Sequence, residues 1–285
     1  MMSFHPDERR AQQRAGFSVS SAAIRDAMPI QHQQFFAGLR LFFIATRDRN
    51  GWPVATVLSG TPGFLSTPDA RQLLIGSMPT ESDPLTSALH VGGLIGGLGI
   101  DFMTRRRNRV NGVIDALDAK GIRLAVRESF GNCPQYIRQR CLMPLVGTET
   151  TCQVHDGVND DVRKVLQRAD TAFVASYGWN GMDISHRGGP VGFIRYRDGR
   201  LWIPDFRGNR YMNTLGNLLA EPRATLLILD WVSGDLLQIQ GDAAIHWEQH
   251  DDANEGERAE RYWSLRPYRV WRLGPLLSVC GPDNS

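Results

Sequence analysis

The sequence predicts a mainly β (α+β) chain built as two tandem halves that fold alike and pack as a pseudo-dimer, with peripheral helices. Three observations predict it. Phe42 to Phe64 reads FFIATRDRNGWPVATVLSGTPGF and Phe173 to Phe193 reads FVASYGWNGMDISHRGGPVGF. In each, an apolar run meets an Asn-Gly turn (Asn50-Gly51, Asn180-Gly181), a second alternating run and a Gly-Phe. Further on, Asp101-Phe102 leads to Val110-Asn111-Gly112, and Asp230-Trp231 leads to Ile239-Gln240-Gly241 with the same Asp-to-Gly spacing. Paired anchors at matched separations indicate an internal duplication. Finally, both blocks alternate with period two between turn residues, as antiparallel barrel strands do. Binding sites often form in the seam between such halves.

The elements follow in order. Residues 1–38 read as an N-terminal helical extension, with Phe35, Phe36 and Leu39 at helical spacing before the chain turns strand-like. The first half, 39–150, carries strands at Leu41–Thr46, Val54–Leu58, Phe64–Leu65, Leu73–Ile75, Leu94–Phe102, Arg107–Ile114 and Ile122–Val126. Cys133 to His155 is a poorly periodic connector. The second half, 151–285, opens on a helix after Asn159, a capping residue followed by Asp160 and Asp161 where the helix dipole favours them. Strands are then expected at Ala172–Ser176, Asp183–His186, Phe193–Tyr196, Leu201–Pro204, Ala224–Leu229 and Leu236–Ile245. A helix from about Tyr211 to Ala220 interrupts them and is stopped by Glu221-Pro222, because proline disfavours helical geometry in the residue before it. Asp251 to Glu260 reads as a charged exposed stretch, and Tyr268 to Leu273 as a closing strand.

Composition narrows the function classes. With 42% hydrophobic and 22% charged residues and a net charge of +2, the chain is of ordinary globular type and gives no reason to expect nucleic acid or an anionic membrane as partner. It has no run of about 18 apolar residues, and the charged N-terminus lacks the apolar core of a signal peptide. A cytoplasmic location is therefore the expectation. Cys133, Cys141, Cys152 and Cys280 form no CxxC pair, and His155 beside Cys152 has no further ligand partner. Reduced structural thiols and no metal site are expected.

The densest polar cluster lies in the second half. Ser185-His186-Arg187-Gly188-Gly189-Pro190 and Pro204-Asp205-Phe206-Arg207-Gly208-Asn209-Arg210 stand on neighbouring strands, and the latter runs off its strand into a helix. A helix start exposes unpaired N–H groups, glycine lets a ligand approach the backbone, and Arg207, Arg210 and Arg187 add guanidinium donors. That set suits a phosphate monoester. The matching stretch of the first half, Ile75-Gly76-Ser77-Met78-Pro79-Thr80-Glu81, has no cation, so one phosphate site per chain is expected and its counterpart is degenerate.

DFRGNRYMNTLGNL at 205–218, SHRGGPVGF at 185–193, DFMTRRRNRVNG at 101–112 and FGNCPQYI at 130–137 are similar to motifs of a known family. Across residues 30–245 the chain resembles the pyridoxamine 5′-phosphate oxidase-related split barrels that bind flavin mononucleotide (FMN), in their duplicated branch. The resemblance implies two tandem split β-barrels with FMN at the seam between them, and a homodimer as a further association. The family's phosphate-binding segment falls on Gly208, Asn209 and Arg210, with Arg207 as a substitute cation. The arginine of the earlier strand falls on Arg187, between His186 and Gly188. A polar group reaching the flavin from the opposite barrel falls near Arg107, with Arg109 and Asn111 on the same strand face by period-two alternation.

The departures bear on activity. Gly188-Gly189-Pro190 replaces the oxidase's lysine-terminated motif, and its substrate-phosphate residues have no counterpart. Oxidation of pyridoxamine phosphate is therefore not implied, and the fold alone licenses no activity. His186 is the candidate catalytic residue, as a donor to a ring oxygen or a carrier of a substrate proton; orienting Arg187 is the alternative. Cys133 has no base beside it for nucleophilic work. No Gly-x-Gly-x-x-Gly strand–turn–helix is present, so an electron donor is expected to be a transiently docked reduced nicotinamide or a separate reductase, acting with a small-molecule substrate. The expectation is an FMN-dependent oxidoreductase. Its rival is a non-enzymatic flavin- or haem-binding carrier or redox sensor, with His5, His32, His90 or His186 as axial ligands.

Overall fold

The computed structural model of the chain describes residues 4–145, 150–248 and 259–279. Two helices come first, α1 (Pro6–Arg14) and α2 (Ile30–Ala37). Seven strands follow: β1 (Leu41–Arg47), β2 (Pro53–Ser59), β3 (Leu65–Asp69), β4 (Gln72–Ile75), β5 (Leu94–Asp101), β6 (Arg106–Asp118) and β7 (Gly121–Gly131). The connector carries β8 (Leu142–Pro144) and β9 (Thr151–His155) before α3 (Asp160–Arg168). The second half continues with β10 (Thr171–Gly178), β11 (Gly181–Gly188), β12 (Arg195–Arg197), β13 (Arg200–Asp205), α4 (Asn213–Ala220), β14 (Arg223–Leu229), β15 (Leu236–His246), β16 (Arg261–Gly274) and β17 (Leu277–Val279).

The two large sheets run β2-β1-β5-β6-β7-β4-β3 and β11-β10-β14-β15-β16-β13-β12. Substituting each strand of the first by its counterpart in chain order reproduces the second, so the duplication read from the anchors is a duplication of topology. The registers agree in detail. Phe43 pairs with Val57 and Phe173 with His186, while Leu98 pairs with Arg109 and Leu227 with Gln238. The connector is less bare than its sequence suggests: β9 adds to β16 and β8 pairs with β17. The chain is thus two tandem split barrels forming a pseudo-dimer.

Each half has its own apolar core, and a third core lies in the seam. There Leu41, Phe43, Leu98 and Ile100 meet Phe173, Ile184, Leu227 and Leu236. The equivalent rings of Phe43 and Phe173 stack at 3.7 Å. Each such side chain contributes about 1.5–3 kcal/mol of burial, so the seam is held as a core is held. Gly96 shows how close the halves come: a Cβ there would lie 2.7 Å from the Asp183 Cα.

The Asn159 side chain accepts from the Val162 N–H at 2.9 Å, as its position predicts. Two elements differ from the sequence reading. α4 starts at Asn213 rather than Tyr211, because Arg210 and Met212 take left-handed conformations (φ 61° and 63°). The closing strand reaches back to Arg261, through Pro267. That proline faces Gly241 beside a β-bulge, where a missing N–H is tolerated. Most of Asp251–Glu260 lies outside the described residues, as does Cys280. Cys133 and Cys152 are free thiols, whereas Cys141 is disulfide-bonded, which corrects the expectation of a reduced thiol there. Among the described residues no helix is long and apolar enough to cross a membrane.

Candidate functional site

The seam holds a pocket that encloses ≈ 100 Å³ and opens to solvent. β6 of the first half supplies Arg107 and Arg109; β11 supplies Ser185, His186, Arg187 and Gly188. The β13–α4 junction supplies Asp205, Phe206, Gly208, Asn209, Arg210 and the first residues of α4, and β16 supplies Arg261. Eight of the ten sequence-predicted residues therefore come together: Arg107, Arg109, His186, Arg187, Gly188, Gly208, Asn209 and Arg210. Arg207 and Asn111 stand outside the lining. Arg207 is exposed and takes part through its carbonyl, which accepts from the Tyr136 hydroxyl at 3.1 Å. Asn111 is buried on the same face of β6, deeper, where its amide donates to Glu128 at 3.0 Å.

The charges fall into two linked groups. In the first, Asp205 accepts from both Arg187 and Arg261, and Glu260 accepts from Arg261 (3.1 Å) and Arg210 (3.4 Å). In the second, Arg109 donates to Asp183 at 2.9 and 3.0 Å and to the Asn213 side-chain oxygen at 3.2 Å. Among the described residues Arg107 has no carboxylate partner; it donates to His186 Nδ1 at 2.6 Å. Five guanidiniums (107, 109, 187, 210, 261) thus meet three carboxylates (183, 205, 260), a surplus of two positive charges. Burial, helped by repulsion from Arg109 and Arg187, pushes the Arg107 guanidinium down to about 9. A cation destabilised in this way is one that an anionic ligand would relieve.

Burial and the guanidiniums of Arg107, Arg187 and Arg109 hold the His186 imidazole well below its ordinary range. The ring is therefore neutral near pH 7. Because Arg107 occupies Nδ1, the proton sits on Nε2, and that atom is buried without a partner. Arg107 Nε, Arg109 Nε, Arg187 Nε and both polar atoms of Asn132 are also buried and unpartnered. Native interiors leave few such groups, so their convergence on one pocket makes it the candidate ligand site. Three non-glycine residues with left-handed backbone, Tyr136, Arg210 and Met212, also line it. Such strain collects at functional sites.

Sequence reasoning passed over Asn132, Tyr136, Asn213 and Arg261. The FGNCPQYI motif contained the first two, and Tyr136 packs its ring on Phe206 at 5.5 Å. α1 is also part of the site's support. Glu8 is buried, accepts from the His5 N–H at 2.8 Å, and takes a hydrogen bond from the Asn213 amide. Burial outweighs these bonds, and with repulsion from Glu128 and Asp183 pushes its carboxyl up to about 7.

Fold and site together define a class: a duplicated, antiparallel split barrel with an arginine-rich pocket in its seam. The family model for pyridoxamine 5′-phosphate oxidase matches residues 158–275. No curated protein matches the chain. Among solved structures, a putative pyridoxamine 5′-phosphate oxidase from Corynebacterium glutamicum is 14% identical, with 44% of this chain and 98% of that one covered at a TM-score of 0.32. An FAD-binding protein from Mesorhizobium loti is 11% identical, covering 43% and 96% at 0.30. HutZ, the haem storage protein from Vibrio cholerae, is 11% identical, covering 40% and 93% at 0.28. Likenesses at this level assign no activity.

Proposed function

We propose that the chain binds FMN in the seam pocket and acts as an FMN-dependent oxidoreductase of the pyridoxamine-phosphate-oxidase-like class. The observation that carries this reading is the surplus of two positive charges, assembled from both halves. A phosphate monoester brings close to two negative charges at neutral pH. Arg187, Arg210 and the Gly208-Asn209 backbone hold the phosphate. Arg107 and His186 face the rest of the ligand from the wall that joins the halves. FMN, when bound, supplies a ring that accepts and returns hydride. His186, neutral with its proton fixed on Nε2, serves as a hydrogen-bond donor to a ring acceptor and not as a carrier of a substrate proton. The substrate is a small molecule, and electrons come from a reduced nicotinamide docked transiently or from a separate reductase.

A non-enzymatic flavin or haem carrier is the second reading; with Arg107 on Nδ1 and the proton on Nε2, His186 presents no lone pair to a haem iron. The guanidinium-rich lining favours a phosphate over the apolar faces of a haem. Titration of the apoprotein with FMN, FAD and haemin separates these. Saturable binding with FMN tightest, and consumption of reduced nicotinamide in the FMN complex, is the expected result. Haemin binding tighter than FMN, or no saturable FMN binding, overturns the proposal.

A further inference from the structure

Three asparagines line the pocket, at positions 132, 209 and 213. The Asn213 amide is engaged at both ends, by Glu8 and by Arg109. Asn209 accepts from the Tyr211 N–H at 3.1 Å. Asn132 is different: its Nδ2 and Oδ1 are both buried, and neither has a partner. Its backbone N–H donates to the Arg107 carbonyl at 3.3 Å, just beyond the end of β7. That bond sets the Asn132 backbone beside Arg107, which itself donates to His186.

A phosphate needs only donors, and the guanidiniums provide them. An amide offers a donor and an acceptor side by side, and does so whichever way the group is flipped. Its complement is a planar edge that alternates acceptor, donor and acceptor. The pyrimidine edge of an isoalloxazine, C2=O, N3–H and C4=O, has that order. Leaving both functions of a buried amide unmade costs more than making them returns in net stability, so a ligand that pairs both is selected over one that pairs neither.

We infer that Asn132 reads the N3–H edge of the bound flavin, pairing its side-chain oxygen with N3–H and its NH2 with a neighbouring ring carbonyl, and so sets specificity at the ring end of the pocket. The assignment rests on the FMN reading and adds to it a specificity residue and an orientation: ring edge toward Asn132 and His186, phosphate toward Arg187 and Arg210.

The test compares FMN with N3-methyl-FMN, which keeps the phosphate and both carbonyls but cannot donate from N3. Wild-type full-length protein should bind FMN about tenfold or more tighter than the methylated flavin, the scale on which a site built around a hydrogen bond rejects a ligand lacking it. In Asn132→Ala, which removes the amide and makes room for the methyl group, the two affinities should converge. The wild-type comparison needs no variant, so it stands even where Asn132→Ala folds poorly. Equal wild-type affinities, or full discrimination retained in Asn132→Ala, overturn the Asn132 assignment while leaving flavin binding intact. Absence of binding by either flavin in the wild type overturns the FMN reading and the assignment with it.

Discussion

The seam has two ends related by the pseudo-twofold, and they have opposite chemistry. At one end β11 presents His186 and Arg187 while β6 presents Arg107 and Arg109. The registers place Val57 and Leu58 of β2 at the first two positions and Leu236 and Gln238 of β15 at the others. Where the first end has five arginines, the second is filled by the Asp83 carboxyl. Asp83 is buried, accepts from Thr56, from the Leu85 N–H at 2.8 Å and from Gln238 at 3.3 Å, and burial raises its pKa. Gln240 closes on the Pro53 carbonyl at 2.9 Å. The difference lies in satisfaction as much as in charge. Polar groups at the second end mostly bond to one another, whereas those around the pocket leave six buried nitrogens or oxygens unpaired on Arg107, Arg109, Arg187, His186 and Asn132. One backbone arrangement thus yields a closed structural contact and an open, arginine-lined pocket.

The comparison breaks most readily at its cations. The double variant Arg107→Ala/Arg187→Ala should lose more than about 3 kcal/mol of FMN binding, and each single variant about 1.5–3 kcal/mol, the scale of a charge-assisted hydrogen bond. Isothermal titration measures both; near-wild-type affinity in the double variant would place the ligand elsewhere.

The support from α1 belongs to the open end alone, and it carries a pH signature. The Glu8 carboxyl sits at about 7 in the folded chain against an ordinary 4.5, so the folded state holds that proton more tightly than the unfolded state. Its contribution to stability is complete below about pH 4.5 and is lost as pH rises through about 7. Glu8→Gln has no proton to lose. Between pH 4.5 and 7.5 the wild type should therefore lose up to about 3 kcal/mol that the variant does not, measured by urea unfolding across that range. Parallel profiles would show that Glu8 titrates normally.

At the closed end, Asp83→Asn should leave FMN affinity unchanged and shift stability by about 1 kcal/mol, the worth of hydrogen bonds altered but not abolished. A marked loss of FMN affinity in this variant would mean that the two ends are not independent. The smallest effect is expected from Arg207→Ala. Its exposed guanidinium lies off the lining, so FMN affinity should change by less than about 0.5 kcal/mol; a loss as large as that of Arg187→Ala would place it in the site.

Much of this was legible in the chain because duplication converts sequence into topology. The Asn-Gly turns and the Asp-to-Gly spacing located the paired strands. Period two placed Arg107 and Arg109 together on one face, as the structure has them. What sequence could not supply were partners distant in the chain. Asn111 has the period of a site residue but is taken by Glu128, and Arg261 joins the pocket through Asp205, 56 residues away. Glu8 reaches Asn213 from 205 residues off. The start of α4 was missed because left-handed backbone at Arg210 and Met212 has no propensity signal in non-glycine residues.

The asymmetry of the seam is tested most directly by stoichiometry. Titrating the full-length apoprotein with FMN under calorimetry should give one tight site per chain, abolished by Arg107→Ala/Arg187→Ala and indifferent to Asp83→Asn. Two equivalent sites per chain would contradict the account, because the end closed by Asp83, Thr56 and Gln238 would then have to bind flavin as well as the end lined by arginines.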